Sequence, residues 1–182
     1  MRFEDFVQRP RTILTEDDVH CSRRHIVDSE DTDRYEEELR SLNKTVSGIV
    51  QFPSSYKGNP IRQLSLDNYN DSRSQQIEGL ILPENITSFQ LSDFLNLRWI
   101  WIPKQIKVEY SDFEDNPKLE TVFYEGTVEE WDRLLTKYYT DAYSYNSEGE
   151  AFCSRRKYHP HVIPVMQSTV YFECSREVFR NV

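Results

Sequence analysis

The chain has 182 residues and a formal net charge of -9, with 37% hydrophobic and 13% aromatic residues. That length suits one domain, or one with a small appendage, and is enough to bury a core. An acidic balance offers no basic field to nucleic acid or an anionic membrane surface, so neither is expected as a partner, and many aromatics with five glycines argue against long disordered tracts.

The opening MRFEDFVQRPRTIL holds no apolar run of the kind a secretory leader needs, and no window approaches a membrane-spanning helix. Cys21, Cys153 and Cys174 do not make a disulfide framework and suit a reduced, cytoplasmic setting. Secretion or surface attachment would require a leader that has been lost, and the sequons at Asn43 and Asn85 would matter only then. Phe3, Phe6 and Val7 are spaced for a short helix ending before Pro10. Thr15 and Asp18 suit a reciprocal cap for a second turn. The run DSEDTDRYEEELRSL, residues 28–42, predicts a helix with Tyr35, Leu39 and Leu42 as its apolar stripe and acids behind. Its acidic side reads as a solvated face, with docking of a basic partner as the functional alternative. Residues 1–45 are therefore expected to form a mainly helical segment.

Residues 46–126 carry an internal repeat of three apolar positions at offsets 0, 3 and 5. Ile61, Leu64 and Leu66 fit, as do Ile77, Leu80 and Leu82, then Leu97, Ile100 and Ile102, then Leu119, Val122 and Tyr124. The last two of each triplet alternate as a short strand does over a core. Pro83 and Pro103 stop two of the strands, because proline has no N–H for a ladder. Ile86 and Ile106 follow those prolines at matching positions, and Ser92-Asp-Phe94 is echoed by Ser111-Asp-Phe113. Each coil would bury its apolar side only by stacking on the next.

Residues 127–182 open with a helix: Gly126 before it gives the turn, and Thr127 and Glu130 have the spacing of a capping box. Trp131, Leu134, Leu135 and Tyr138 then share one helical face. A polar, Tyr-rich loop is expected over Tyr138 to Tyr145, and a last strand over Thr169 to Cys174. Ser154-Arg-Arg-Lys157 is a local basic cluster, read as a solvated loop or a contact for acidic or phosphate groups.

Taken together, Leu80-Ile-Leu-Pro83, Ile86, Phe89, Phe94, Leu97, Ile100, Ile102 and Pro103, with Ile106, Phe113, Leu119, Val122 and Tyr124, resemble the leucine-rich repeat proteins of the BspA-like type. Tyr124, Gly126, Thr127 and Trp131 resemble the end of such arrays. The resemblance is good from about Leu80 to Leu135 and faint from Val46 to Gln76, and Val108 to Tyr110 depart from it. It implies an α/β fold: a short leucine-rich repeat-like solenoid over 46–126, with an N-terminal helical segment over 1–45 and a helix-plus-strand cap over 127–182.

Candidate chemistry is sparse. Glu125, Glu129, Glu130 and Asp132 would suit a hydrolase only as a pair facing one cleft with separated pKa values; capping accounts for them more simply. His159 and His161 with Cys153 and Cys174 match no common zinc spacing. No nucleophile elbow or phosphate loop is present, so no catalytic residue, metal or cofactor is assigned. The repeat register instead turns Gln63, Ser65, Gly79, Ile81, Trp99, Trp101, Thr121 and Phe123 away from the core. This face, centred on Trp99 and Trp101 with Ile81, Phe123, Gln63 and Thr121, is the expected site for a neutral or basic protein partner. Self-coverage by residues 1–45 or by the Tyr-rich loop is the structural alternative, and stacking on a glycan is the alternative ligand.

Overall fold

The computed structural model describes residues 1–27, 33–67, 72–106, 116–136, 139–145, 151–158 and 168–179. Apolar residues at Phe3, Phe6 and Val7 wind into the short helix α1 (Phe3–Val7), which stops before Pro10. Strand β1 (Arg11–Ile13) follows, and then a 3-10 turn over Glu16–Asp18. In that turn the Asp18 carboxylate accepts from the Thr15 backbone N–H at 2.9 Å and from its hydroxyl at 3.0 Å. Strands β2 (Val19–Val27) and β3 (Asp33–Leu42) pair antiparallel, and β4 (Ser47–Gln51), β5 (Ser55–Tyr56) and β6 (Asn59–Asp67) come next. Lys57 and Gly58, both at positive φ, make the tight turn between β5 and β6. The chain continues through β7 (Gln76–Ile81), β8 (Ser88–Ser92), β9 (Trp99–Ile102) and β10 (Thr121–Tyr124). Helix α2 (Val128–Thr136), the ribbon of β11 (Tyr139–Tyr145) and β12 (Ala151–Tyr158), and β13 (Thr169–Tyr171) end the regular structure, before a 3-10 turn over Arg176–Phe179.

These strands build two main sheets. The first has six strands in the order β1-β4-β7-β9-β10-β13, every neighbour parallel. The second has five, β2-β3-β6-β5 with β8 also on β6, and mixes parallel and antiparallel pairs. The chain moves back and forth between them, and one apolar core fills the space between. Val50, Leu80, Ile100, Ile102, Val122 and Tyr124 contribute from the first sheet, and Leu39, Leu64, Leu66, Phe89 and Leu91 from the second. Phe94, Leu97, Leu119 and Trp131 complete it.

This arrangement corrects the expected leucine-rich repeat-like solenoid with its cap, and with it the family resemblance. The chain is an α/β fold of two large, mostly parallel sheets with two α-helices among the described residues. Two physical points explain the difference. First, an apolar triplet specifies a strand with a buried side but not the sheet it joins. Ile61, Leu64 and Leu66 lie on β6 in the second sheet, and the strand beside β7 is β4, which carries no triplet. Second, the segments read as irregular return arms include strands: Phe89 sits within β8, paired with Leu64 of β6.

The N-terminal segment is likewise mostly strand rather than helix. The acidic run expected as a helix contributes β3, because it lies opposite the basic run of β2 and each strand supplies the other's ladder. Arg23 faces Glu37, Arg24 faces Glu36 and His25 faces Tyr35. Tyr139 to Tyr145 is strand, not loop. Residues 28–32, Val108 to Phe113, Tyr138, and His159 to His161 lie outside the described residues.

Candidate functional site

The parallel register of the first sheet stacks its side chains in rows. One row runs Arg11, Ile49, Gly79, Trp99, Thr121 and Thr169. Two residues along, a second row runs Ile13, Gln51, Ile81, Trp101, Phe123 and Tyr171. The row between them (Val50, Leu80, Ile100, Val122) points into the central core. Trp99, Trp101, Ile81 and Phe123 therefore share the opposite face, as alternation along a strand requires.

That face is not open. Trp99 is 2% exposed and Trp101 0% exposed, and Ile81, Phe123 and Thr121 are buried too. The expected exposed platform is corrected by the chain's own cover. Phe6 stacks on Phe123 with centroids 4.7 Å apart, Phe3 lies at 5.3 Å from the same ring, and Phe179 meets the edge of Trp101 at 5.8 Å. Gly79 gives the Phe6 ring its seat: a Cβ there would stand 3.3 Å from Phe6 Cε2 and 3.0 Å from Ile49 Cγ1. Polar contacts fix the cover at its margins. Arg11 donates to the Phe179 carbonyl at 2.9 Å and to Gln51 at 3.0 Å. Arg176, buried beside Trp101, donates to the Leu82 carbonyl at 2.7 Å. Trp101 Nε1 donates to the Cys174 carbonyl at 2.8 Å. Trp99 lies against the guanidinium groups of Arg9 and Arg98, at 4.7 and 4.8 Å, and its buried Nε1 has no hydrogen-bond partner among the described residues. Gln63, expected beside the tryptophans, belongs to β6 in the second sheet and accepts from Arg24 at 2.6 Å.

The surface that does combine aromatic and cationic groups is the β2–β3 arm. Val19 and Cys21 of β2 and Leu39 and Leu42 of β3 anchor it in the core. Among the described residues, strand β3 pairs with β6 at Glu37, Glu38 and Leu39, and beyond Glu37 the arm is a two-stranded ribbon. There Tyr35 is 56% exposed, His25 stacks on it at 5.0 Å, and the Arg23 guanidinium lies 4.4 Å from its ring centre. Among the described residues Tyr35 is the one aromatic in the set of large exposed hydrophobic side chains. The far edge of β2 pairs with no strand among the described residues. The hydrophobic triplets gave no hint of this arm, but the sequence did hold one. Basic 23–25 and acidic 36–38 are placed symmetrically enough to face each other across a hairpin.

The carboxylates of the α2 start act structurally. Glu130 accepts from the Thr127 backbone N–H at 2.9 Å, and the Thr127 hydroxyl accepts from the Glu130 N–H at 3.3 Å, which completes the expected capping box. A hydrogen bond from Thr127 holds the Glu129 carboxyl below the usual range, opposite to the upward shift of a catalytic acid. Burial pushes the thiols of Cys21 and Cys174 up to about 12, which removes thiolate character near neutral pH. Both are free cysteines. No group of three or more His, Cys, Asp or Glu among the described residues is placed to hold a metal ion. No helix among them is long and apolar enough to cross a membrane.

No protein-family model, curated protein or solved structure matches this chain.

Proposed function

We propose that the protein is a non-catalytic protein-interaction module that binds through the β2–β3 arm rather than through the covered sheet face. The observation that carries this reading is Tyr35, an aromatic held in the open between Arg23 and His25 on a projecting ribbon. Tyrosine and arginine together supply contact area, a hydrogen-bonding tip and a cation, the chemistry of interface hot spots. A glycan platform would need the two tryptophans uncovered, so the ligand class favoured here is protein.

Site-specific photocrosslinking tests it. A photoreactive residue at position 35 should capture a discrete partner, competed by excess wild-type protein but not by Tyr35→Ala/Arg23→Ala. The same group at Leu95, which is exposed elsewhere, should not. Because Tyr35 is largely solvated, Tyr35→Ala should change unfolding stability by no more than about 0.5 kcal/mol. Equal capture from positions 35 and 95, or none from 35, would sink the arm as a binding surface.

A further inference from the structure

We propose that the partner presents an acidic, extended segment that adds as a strand to the open edge of β2, an inference that rests on the arm being the binding surface. Strand β2 is nine residues long and, among the described residues, lies at the end of its sheet. An edge of that length exposes a row of backbone N–H and C=O groups ready to pair with another chain. Its sequence, VHCSRRHIV, contains His20, Arg23, Arg24 and His25 and no acid, within a chain of net charge -9. All four of these side chains are exposed. Proteins commonly block a bare edge with charge, and here the charge is of one sign.

The strand already paired with β2 shows what the edge accepts. Opposite Ser22, Arg23 and Arg24 stand Glu38, Glu37 and Glu36 of β3. A second acidic strand on the free side would place carboxylates against the same arginines, where cross-strand opposite charges stabilise a pair. Arg24 currently donates to the neutral amide of Gln63, and Arg23 covers the ring of Tyr35. Both guanidinium groups therefore lie over the β3 side and would swing toward the free edge to meet an incoming strand. A second copy of this chain fits less well, because β2 against β2 sets Arg23, Arg24 and the two histidines against their own kind. Nucleic acid fits less well too, since the basic strip is narrow and the chain around it is acidic.

The probe is a peptide of nine residues, the length of β2. It alternates Glu with Thr and Val, is blocked at both ends, and is titrated into the whole protein. Fluorescence anisotropy should show saturable binding, and amide hydrogen exchange should slow across Val19 to His25. Replacing Glu by Lys, or N-methylating alternate peptide amides, should each weaken binding about tenfold or more, since one needs the charge and the other the ladder. His20→Glu/Arg24→Gln should weaken it comparably while circular dichroism and the unfolding midpoint hold. His20→Glu alone serves if the double variant fails to fold.

Undiminished binding of the N-methylated peptide would reduce the effect to charge attraction and overturn strand addition. So would no saturable binding, concentration-dependent self-association that blocks the peptide, or tighter binding of a single-stranded oligonucleotide. Crosslinking from position 35 without peptide binding leaves the interaction module standing and removes the acidic strand. Peptide binding without crosslinking removes Tyr35 as the contact that carries the interaction module and leaves the β2 edge as a site for an acidic strand.

Discussion

At the scale of single residues, the two tryptophans on the first sheet differ by one hydrogen bond. Trp101 Nε1 is satisfied by the Cys174 carbonyl, whereas Trp99 Nε1 is buried with no partner among the described residues. A buried donor without a partner costs about 1–3 kcal/mol, and deleting it removes that cost. Trp99→Phe therefore loses packing but gains back desolvation, and should change stability by less than about 1 kcal/mol. Trp101→Phe loses packing and strands the Cys174 carbonyl, and should cost about 2–4 kcal/mol. Urea unfolding of the two variants checks the difference; equal costs would mean that water or an undescribed residue satisfies Trp99. That both side chains turn away from the central core was legible from alternation around Ile100. Cover by residues 1–45 stood as the alternative, and Phe3 and Phe6 supply it. Which residues do so, and the share taken by Phe179, were not readable, because cover depends on segments far away in the chain. Phe6 and Phe179 carry no local mark of the surface they will meet.

At the scale of elements, α1 is too short to persist by itself, since isolated helices under about 12 residues are marginal in water. It exists because Phe6 and Val7 are buried, each contributing about 1.5–3 kcal/mol. Ordering its five residues costs about 1–2 kcal/mol apiece. The burial of those two side chains does not exceed the ordering cost, so α1 should open locally far more often than the sheet below it. Gly79→Ala tests this seat. A methyl group 3.3 Å from Phe6 and 3.0 Å from Ile49 crowds the ring that anchors the helix. The variant should speed amide exchange over Phe3 to Val7 and shift tryptophan emission to the red, leaving exchange in β7 and β9 close to wild type. Uniform loss of protection would show instead that α1 and the sheet open as one unit. The existence of α1 was readable in Phe3, Phe6, Val7 and Pro10. The strands β2 and β3 were not, since a helix stripe through Tyr35, Leu39 and Leu42 fits the acidic run by itself. Only the opposing Arg23 and Arg24 select the hairpin, and that is a pairwise property of two segments.

At the scale of the whole molecule, the six-stranded sheet separates two apolar clusters, and each holds one cysteine. Cys21 lies in the core between the sheets, and Cys174 lies with Phe6, Trp101, Phe123 and Phe179 under the cover. The apolar triplets located much of the first cluster but assigned no cover to the second. Repeat periodicity describes what neighbouring strands share, whereas the cover joins residues from opposite ends of the sequence. The two thiols can report on the two layers separately. Burial raises both to about 12, so the folded protein holds these protons more tightly than the unfolded chain does. Tyr124, raised to about 12 chiefly by burial, adds in the same direction. The stability tied to these groups is therefore fully present below their unfolded values, near 9 for the thiols and 10 for the tyrosine. It falls as pH rises toward 12. In a Cys153→Ser background, an aromatic disulfide reagent at pH 8 should label Cys174 first, at the rate at which the cover opens. Cys21 should wait for global unfolding. Raising the pH from 8 to 10 should lower the urea midpoint, and Cys21→Ala/Cys174→Ala should flatten that dependence. Labelling of both thiols at one rate would mean that the cover and the core between the sheets form a single cooperative unit.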